Sequence, residues 1–412
     1  MQAEVIAVGS ELLLGQIIDT NSAVIARHFA SIGLNLFYKT TVGDNLARTT
    51  AVIRQALDRS DVVVTTGGIG PTADDITREA VAAATGRELV FSEELLRQIE
   101  VYFASRGFQL SPYNRRQAYV PSGAIAVENP VGTAPAFIVE DQEKTLITLP
   151  GVPREMEYLL VNRALPYLRQ RYGIRGEIRM RVLKCVGLGE SRIGERLADF
   201  MERGANPTVG TLAHLGQVDV RIAAKALDAD EASRLIAPIE AEIRKRLGEA
   251  VFGVDSDTLE EEIGRRLAAM ATKVALVEVG TAGAATERLA AAIPTRFAGS
   301  MVMSHVNSEG PLRLDAGRDA TPLGRAQALA LAAMKWAGVD VGGASYVEAV
   351  PQSSPPVAHA AVAVAVRGRL SGHAHTLGGD PGSQRIRAAT LLLDEIRRAL
   401  PPPKLTVLRA EG

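Results

Sequence analysis

The run TTGGIGPTADDIT, Thr65 to Thr77, sets a glycine-rich turn directly ahead of paired carboxylates. Gly67, Gly68 and Gly70 lack a Cβ, so their backbone can take positive φ and bring amide hydrogens close to an anion. Asp74 and Asp75 follow at the expected start of a helix, whose N-terminus also favours negative charge on a ligand. One aspartate could cap that helix while the other holds a divalent cation, because Mg2+ takes one or two carboxylates together with ligand phosphates and water. These residue types therefore suit a phosphate-bearing ligand with a metal ion. The same glycines also serve plain strand-to-helix turns, so by themselves they leave both readings open.

The elements that must position this run are legible around it. Asp61–Val64 (DVVV) reads as a short buried strand, and 74–86 carries helical apolar spacing ending at Gly86. The turn thus falls at the carboxyl end of a strand, where open α/β sheets bind ligands. From the N-terminus to about residue 170, strand and helix alternate: AEVIAVG, NSAVIARHFASIG, LNLFYKTTVG, NLARTTAVIRQALDRS, DVVVTTGG. Such alternation predicts a mainly parallel sheet covered on both faces by helices. Val24, Ile25, Phe29 and Ile32 share one helical face, a packing pattern.

Between about 170 and 254 the order becomes strand, helix, two strands, helix, a small α+β unit whose helix start lies in GESRIGERL with Glu190 and Ser191 ahead of it. Its glycine turn could touch RNA backbone as KH-type modules do, but the unit lacks a basic patch, so a spacer or dimerisation module is the favoured reading. From 255 onward a helix leads into the apolar strand and glycine turn of KVALVEVGTAG. Alanine-rich helices follow, and PPPKLTVLRAEG closes the chain as a loose tail.

The whole chain sets bounds. With 412 residues, two or three domains are expected. A formal net charge of -1 and a hydrophobic share of 47% fit a soluble globular protein and exclude strong non-specific nucleic-acid binding. No apolar run reaches the length of a membrane span and the start MQAEVIAVGS is unlike a basic signal peptide, so a cytoplasmic location is expected. The single cysteine, Cys185, rules out an internal disulfide framework and reads as a small buried strand residue.

With these residues in view, the chain resembles the CinA family of competence/damage-inducible proteins over nearly its whole length. GSELLLGQIIDTNS, TTGGIGPTADDITREA, NPVGTAPAF and LPGVPREM are similar to that family's N-terminal blocks, and GESRIGERL to its middle block. The N-terminal part also looks like the molybdopterin-binding fold of MogA and MoaB proteins. The resemblance implies an α/β chain: a MogA/MoaB-like three-layer domain over 1–170, a KH-like α+β module over 171–254, and a deamidase-like α/β domain over 255–412. It further implies metal-dependent hydrolysis of the pyrophosphate of ADP-ribose to AMP and ribose 5-phosphate. On that reading Asp44 and Asp75 hold a divalent ion such as Mg2+ and one of them orients water. Gly67, Gly68 and Gly70, with Asp74 beside them, bind phosphate. Ser10 and Glu11 line the opposite wall, and Asn129, Gly132 and Thr133 supply a second polar loop. Glu11 as a helix-start charge and Asp44 as a turn cap are the structural alternatives.

The C-terminal part is similar to the family's nicotinamide mononucleotide deamidase domain but departs from it at the chemistry. Where the family has a nucleophilic serine in AESCTGG, this chain has VEVGTAG, and Val279 cannot attack an amide. In SHVNSEG, His305 stands for the family's tyrosine and Gly310 for its lysine, and the glycine-rich loop has become VEAVPQ, Val347 to Gln352. Gly379, Asp380, Arg385 and Arg387 still resemble the terminal block. The expectation is a domain that kept its fold and lost its deamidase chemistry, with Thr281 a substitute nucleophile lacking an evident base. His373 and His375 could share a strand face and bind a metal, or form a polar turn. His28 reads as a boundary residue on its helix, and His214 and His359 have no evident partner. Two rivals stand beside the hydrolase reading: a nucleotide- or pterin-binding scaffold contacting a competence or repair partner, and a nicotinamide-nucleotide amidase. A homodimer is expected from family membership.

Overall fold

The computed structural model describes residues 1–305 and 321–402; Gly310 and most of the C-terminal tail, named above, lie outside them. The chain divides into two compact units, 1–179 with 224–234, and 180–223 with 235–412. Among the described residues no helix is long and apolar enough to cross a membrane.

The first unit is built in chain order from β1 (Gln2–Val8), α1 (Ser10–Leu13), α2 (Asn21–Ser31), β2 (Asn35–Val42), α3 (Leu46–Arg59) and β3 (Val62–Thr66). It continues through α4 (Thr77–Thr85), β4 (Leu89–Phe91), α5 (Glu93–Ala104), β5 (Tyr119–Pro121), β6 (Ile125–Val127), β7 (Ala136–Asp141) and β8 (Lys144–Leu149), ending in α6 (Pro153–Leu159) and α7 (Leu165–Tyr172). Six strands form one sheet in the order β2-β1-β3-β8-β7-β6. The first four run parallel, and β7 and β6 are added antiparallel at one edge. The expected parallel core is therefore present, with an antiparallel margin that the Gly/Pro-rich stretch before β7 makes possible.

Alternate residues of the central strands go to opposite faces, as the strand period requires. Ile6, Val8 and Val63 pack under α3, α4 and α5, whereas Ala3, Val5, Val62 and Val64 pack under α2, α6 and α7. Ile25, Phe29 and Ile32 are buried in the second layer, with Val24 packed against it. The acidic Glu4 inside β1 is fully buried and is held by Arg59 Nε at 2.8 Å, Arg59 Nη2 at 2.7 Å and the Thr40 hydroxyl at 2.7 Å. Its charge is thus paired and its oxygens are occupied, as a buried carboxylate requires.

Next in the chain, β9 (Glu177–Val186), α8 (Glu190–Glu202), β10 (Thr208–His214), β11 (Gln217–Ala226), α9 (Ala229–Leu247) and β12 (Val251–Val254) follow the expected strand and helix order, with sheet order β10-β11-β9-β12. Helix α8 starts on Gly189 as its N-cap, without a side-chain cap; Glu190 instead accepts a hydrogen bond from the Thr211 hydroxyl at 3.0 Å. Cys185 is fully buried, and burial pushes its thiol up to about 12, which suits a packing role.

Next come α10 (Leu259–Ala269), β13 (Val274–Val279), α11 (Ala284–Ala292), β14 (Phe297–Met303), α12 (Pro322–Ala337), β15 (Val341–Ala349), β16 (Val357–Val366), β17 (Arg369–Gly378) and α13 (Pro381–Ala399). Their sheet has the order β14-β13-β15-β16-β17. Strand β13 is buried on both faces: Val274 and Leu276 pack with α10, α11 and α13, while Ala275, Val277 and Val279 join α12 in a second cluster.

Two substitutions test this packing. Phe29→Ala empties a fully buried site and is expected to lower the unfolding free energy of the first unit by about 3–5 kcal/mol in urea titration. Val279→Ser puts a hydroxyl into an apolar cluster and is expected to cost about 1–3 kcal/mol in the same measurement on the second unit.

Candidate functional site

Strand β1 lies between β2 and β3, so the chain leaves β1 in one direction and returns on its other side. A crevice at the carboxyl ends of such strands is the usual ligand position in an open α/β sheet. Here it is lined by the ends of β1 and β3 and by the segment after β8.

The glycine turn closes over this crevice. Gly67 has φ +99, donates its N–H to the Leu149 carbonyl at 3.1 Å, and would place a Cβ 2.3 Å from the Val8 carbonyl oxygen. Gly68, at φ +67, would drive a Cβ to 2.2 Å from the Thr77 hydroxyl. Only glycine fits either position. Thr77 locks the turn to α4, its hydroxyl donating to the Gly67 carbonyl at 2.9 Å and its amide to the Gly68 carbonyl at 2.9 Å. Behind it the buried Arg78 draws in the carbonyls of Ile69 at 2.5 Å and Gly70 at 2.7 Å. In a trans peptide the N–H opposes the carbonyl, so this clamp turns the Gly70 amide away from Arg78.

Asp74 and Asp75 do not cap α4, contrary to the sequence expectation. The helix starts at Thr77 with Ile76 as N-cap and no side-chain cap. Asp75 instead closes the preceding turn, its Oδ2 accepting the Thr72 amide at 2.8 Å and the Thr72 hydroxyl at 2.5 Å. Short acidic side chains compete for such local backbone donors. Both bonds fall on Oδ2, and Oδ1 takes none among the described residues. Asp74 is exposed beside it.

Two small cavities flank the turn and share Gly151. The one of about 290 Å³ is lined by Gly68, Ile69, Gly70, Asp75, Gln117, Thr133 and Glu155, among others. The one of about 120 Å³ is lined by Glu11, Asn21, Thr66 and Gly67, among others. The structure thus brings Gly68, Gly70, Asp75 and Thr133 into one wall and Glu11 and Gly67 into the other. Ser10, Asp44, Asp74, Asn129 and Gly132 line neither. Ser10 and Asp44 bind each other reciprocally, Ser10 N–H to Asp44 Oδ2 at 2.7 Å and Asp44 N–H to Ser10 Oγ at 3.1 Å, tying the end of β2 to α1.

Asn129 and Gly132 act through a residue that the sequence reading passed over. Asn129 Nδ2 donates to Glu155 Oε2 at 2.6 Å and to the Ala134 carbonyl at 2.9 Å. A Cβ on Gly132 would lie 1.9 Å from the Glu155 carboxyl carbon, so a glycine is what admits that carboxylate. Burial raises the Glu155 carboxyl above its ordinary value, against the lowering effect of the Asn129 and Ala134 hydrogen bonds and of Arg154. The signal in the sequence was the acid in LPGVPREM next to a Gly/Pro turn.

As a metal site, the donor set is oxygen only and fits a hard divalent ion shared with ligand phosphates. Among the described residues no group of three or more His, Cys, Asp or Glu side chains is placed to hold an ion without such a ligand.

In the second unit, Val279 is buried and the turn after it opens on a cavity of about 410 Å³ lined by Gly280, Ala282, Ser304, Val347, Gln384 and Arg385, among others. Thr281 does have an acidic partner, contrary to expectation: its hydroxyl donates to Glu278 Oε2 at 2.6 Å. The fully buried Glu278 also accepts the amides of Ala285 and Thr286 and the Thr286 hydroxyl, so its oxygens anchor the start of α11. Thr281 itself is 1% exposed and out of reach of a substrate. Asp380 caps α13 through the Ser383 amide at 3.0 Å, and Arg387 binds the Gly378 carbonyl at 3.2 Å.

His305 pairs with the Ser304 hydroxyl at 2.8 Å. His373 and His375 lie along β17 rather than in a turn; His373 meets Glu395 at 2.9 Å, and burial lowers the pKa of His375. His28 and His214 have acidic neighbours, Glu157 and Asp219, each at 3.2 Å. In the glycine turn of the small module a Cβ on Gly187 would lie 2.7 Å from Arg398 and 3.0 Å from Asp394, whereas Gly189 has open space around it.

Comparison with known proteins agrees with this architecture. The probable molybdopterin binding domain model matches residues 4–170, and the damage-inducible protein CinA KH domain model matches residues 180–253. A putative competence-damage inducible protein of Symbiobacterium thermophilum is 38% identical over 422 residues, covering 97% of this chain and 99% of its own length. A CinA-like protein of Kosmotoga olearia is 36% identical, covering 98% and 100%. Among solved structures, the protein CinA from Thermoplasma acidophilum is 38% identical over 40% of this chain and 96% of its own, with a TM-score of 0.38. With a first domain matching the probable molybdopterin binding domain model, a match to the CinA KH domain model and relatives alike from end to end, the chain belongs to the CinA family.

Proposed function

We propose that the N-terminal domain hydrolyses the pyrophosphate of ADP-ribose or a close relative to AMP and ribose 5-phosphate, with a divalent metal ion. The observation that carries this reading is the 290 Å³ cavity in which the Gly68–Gly70 backbone, the Asp75 carboxylate and the Thr133 loop converge at the carboxyl ends of the parallel strands. Pyrophosphate cleavage requires charge neutralisation at phosphorus, a cradle for the departing phosphate and an oriented water. The Gly70 amide serves the cradle, the Arg78 clamp holding it turned away from that side chain without reorganisation during the reaction, while the Gly67 amide is taken by the Leu149 carbonyl. Asp75 offers Oδ1 to the cation while Thr72 fixes its other oxygen; Asp44, tied to Ser10, is the second carboxylate of this reading. When bound, the ion supplies neutralisation of the phosphate charge. Thr133 presents a polar wall to the same cavity, and Glu11 lines the adjoining one, while Ser10 acts only by holding Asp44.

One observation favours the binding-protein alternative: Asp44 lines neither cavity, and a nucleotide or pterin binder needs the glycine cradle without a carboxylate pair. For the C-terminal domain we infer an inactive deamidase fold, supported by the buried Val279 and by Thr281 being shut inside the protein.

Release of AMP from ADP-ribose by the purified chain is expected to require added Mg2+ or Mn2+ and to fall by more than about a hundredfold in Asp75→Asn. No release from the parent moves the assignment to a binding protein, and equal rates in parent and variant remove Asp75 from the site. Incubation with nicotinamide mononucleotide is expected to yield no ammonia in a coupled assay; ammonia formation would overturn the inactive-domain reading.

A further inference from the structure

Glu155 sits at the start of α6, in the wall of the cavity that also holds Gly68, Gly70 and Asp75. Three features single it out from an ordinary surface acid. Gly132 leaves the space its carboxyl group fills, since any Cβ there would overlap it at 1.9 Å. Asn129, itself buried, fixes one oxygen at 2.6 Å while its own Oδ1 accepts the Val131 amide at 3.2 Å, so the amide orientation is set by the loop. Glu155 makes no ion pair with a basic side chain among the described residues, so no structural salt bridge accounts for its half-buried position.

We infer that Glu155 is the general base of the proposed pyrophosphate cleavage, taking the proton of the attacking water. This rests on the hydrolase reading given above. In the step, the water oxygen forms a bond to phosphorus and the bridging P–O bond breaks, its electron pair leaving on the departing phosphate. The water proton passes to a Glu155 carboxylate oxygen and then to solvent. The burial that raises the Glu155 carboxyl moves its basicity in the direction a general base needs. The charged groups around it are Arg154 on its own helix and Asp75 across the cavity, with the loop 129–134 contributing only neutral donors.

Protonated Glu155 cannot take the proton of water, so kcat falls as pH drops through its pKa, which burial moves upward.

The test is the pH profile of ADP-ribose hydrolysis with saturating Mg2+ for the parent, Glu155→Gln and Glu155→Asp. Glu155→Gln, which keeps the side-chain shape and an acceptor for Asn129, is expected to lose about a hundredfold or more in kcat with KM little changed, and to lose the acid limb. Glu155→Asp is expected to keep the limb at reduced rate. Gly132→Ala, which displaces the carboxylate, is expected to lower kcat as well. An active parent with Glu155→Gln within twofold of it overturns this inference alone, as does a slow Glu155→Gln that retains the parent's acid limb. A parent that turns over no ADP-ribose overturns the hydrolase reading and this inference together.

Discussion

The contact on which the N-terminal site depends is between two backbones: Gly67 passing over the carbonyl of Val8. At φ +99, with no room for a Cβ, this glycine lets the turn after β3 fold back across the end of β1. The rest is downstream of that approach. Thr77 ties the turn to α4 through the Gly67 and Gly68 carbonyls, Arg78 draws in the next two, and the cavities open on either side. A larger residue at 67 would lift the turn and separate the walls, even with every polar side chain unchanged.

Around this contact the site is assembled from loops rather than from the sheet itself. The central strands are mainly apolar and supply position, whereas the acidic groups of the site stand on the segments that follow β1, β2, β3 and β8. Such a division allows rigid placement without burying charge in the core. Glu4 is the exception, and it is matched by Arg59 and Thr40.

Much of the fold was legible because strand and helix periods differ. The parallel core of the first unit, the element order of the small module and the apolar face of α2 all follow from local pattern. The glycine turn was legible because its chemistry is contiguous. What escaped was what depends on distance along the chain. Glu155 meets Asn129 only after β7 and β8 have paired, and no spacing rule connects them. That one of Asp74 and Asp75 caps α4 did not hold, because sequence cannot tell a carboxylate bonded forward to α4 from one bonded back to Thr72. The partner of Thr281 was missed for the opposite reason: Glu278 lies only three residues away, but its role emerges once α11 starts on top of it.

The alternation of β13 has a mechanical consequence. Glu278 and Val279 point to opposite sides of one strand, so the residue that anchors α11 and the residue at the family's serine position are mechanically independent. Position 279 belongs to the cluster under α12 while position 278 holds the start of α11, so a change at one leaves the other in place. A serine at 279 would have to withdraw a methyl-bearing side chain from a packed interior. The packing of this strand therefore favours an apolar side chain there over a hydroxyl-bearing one.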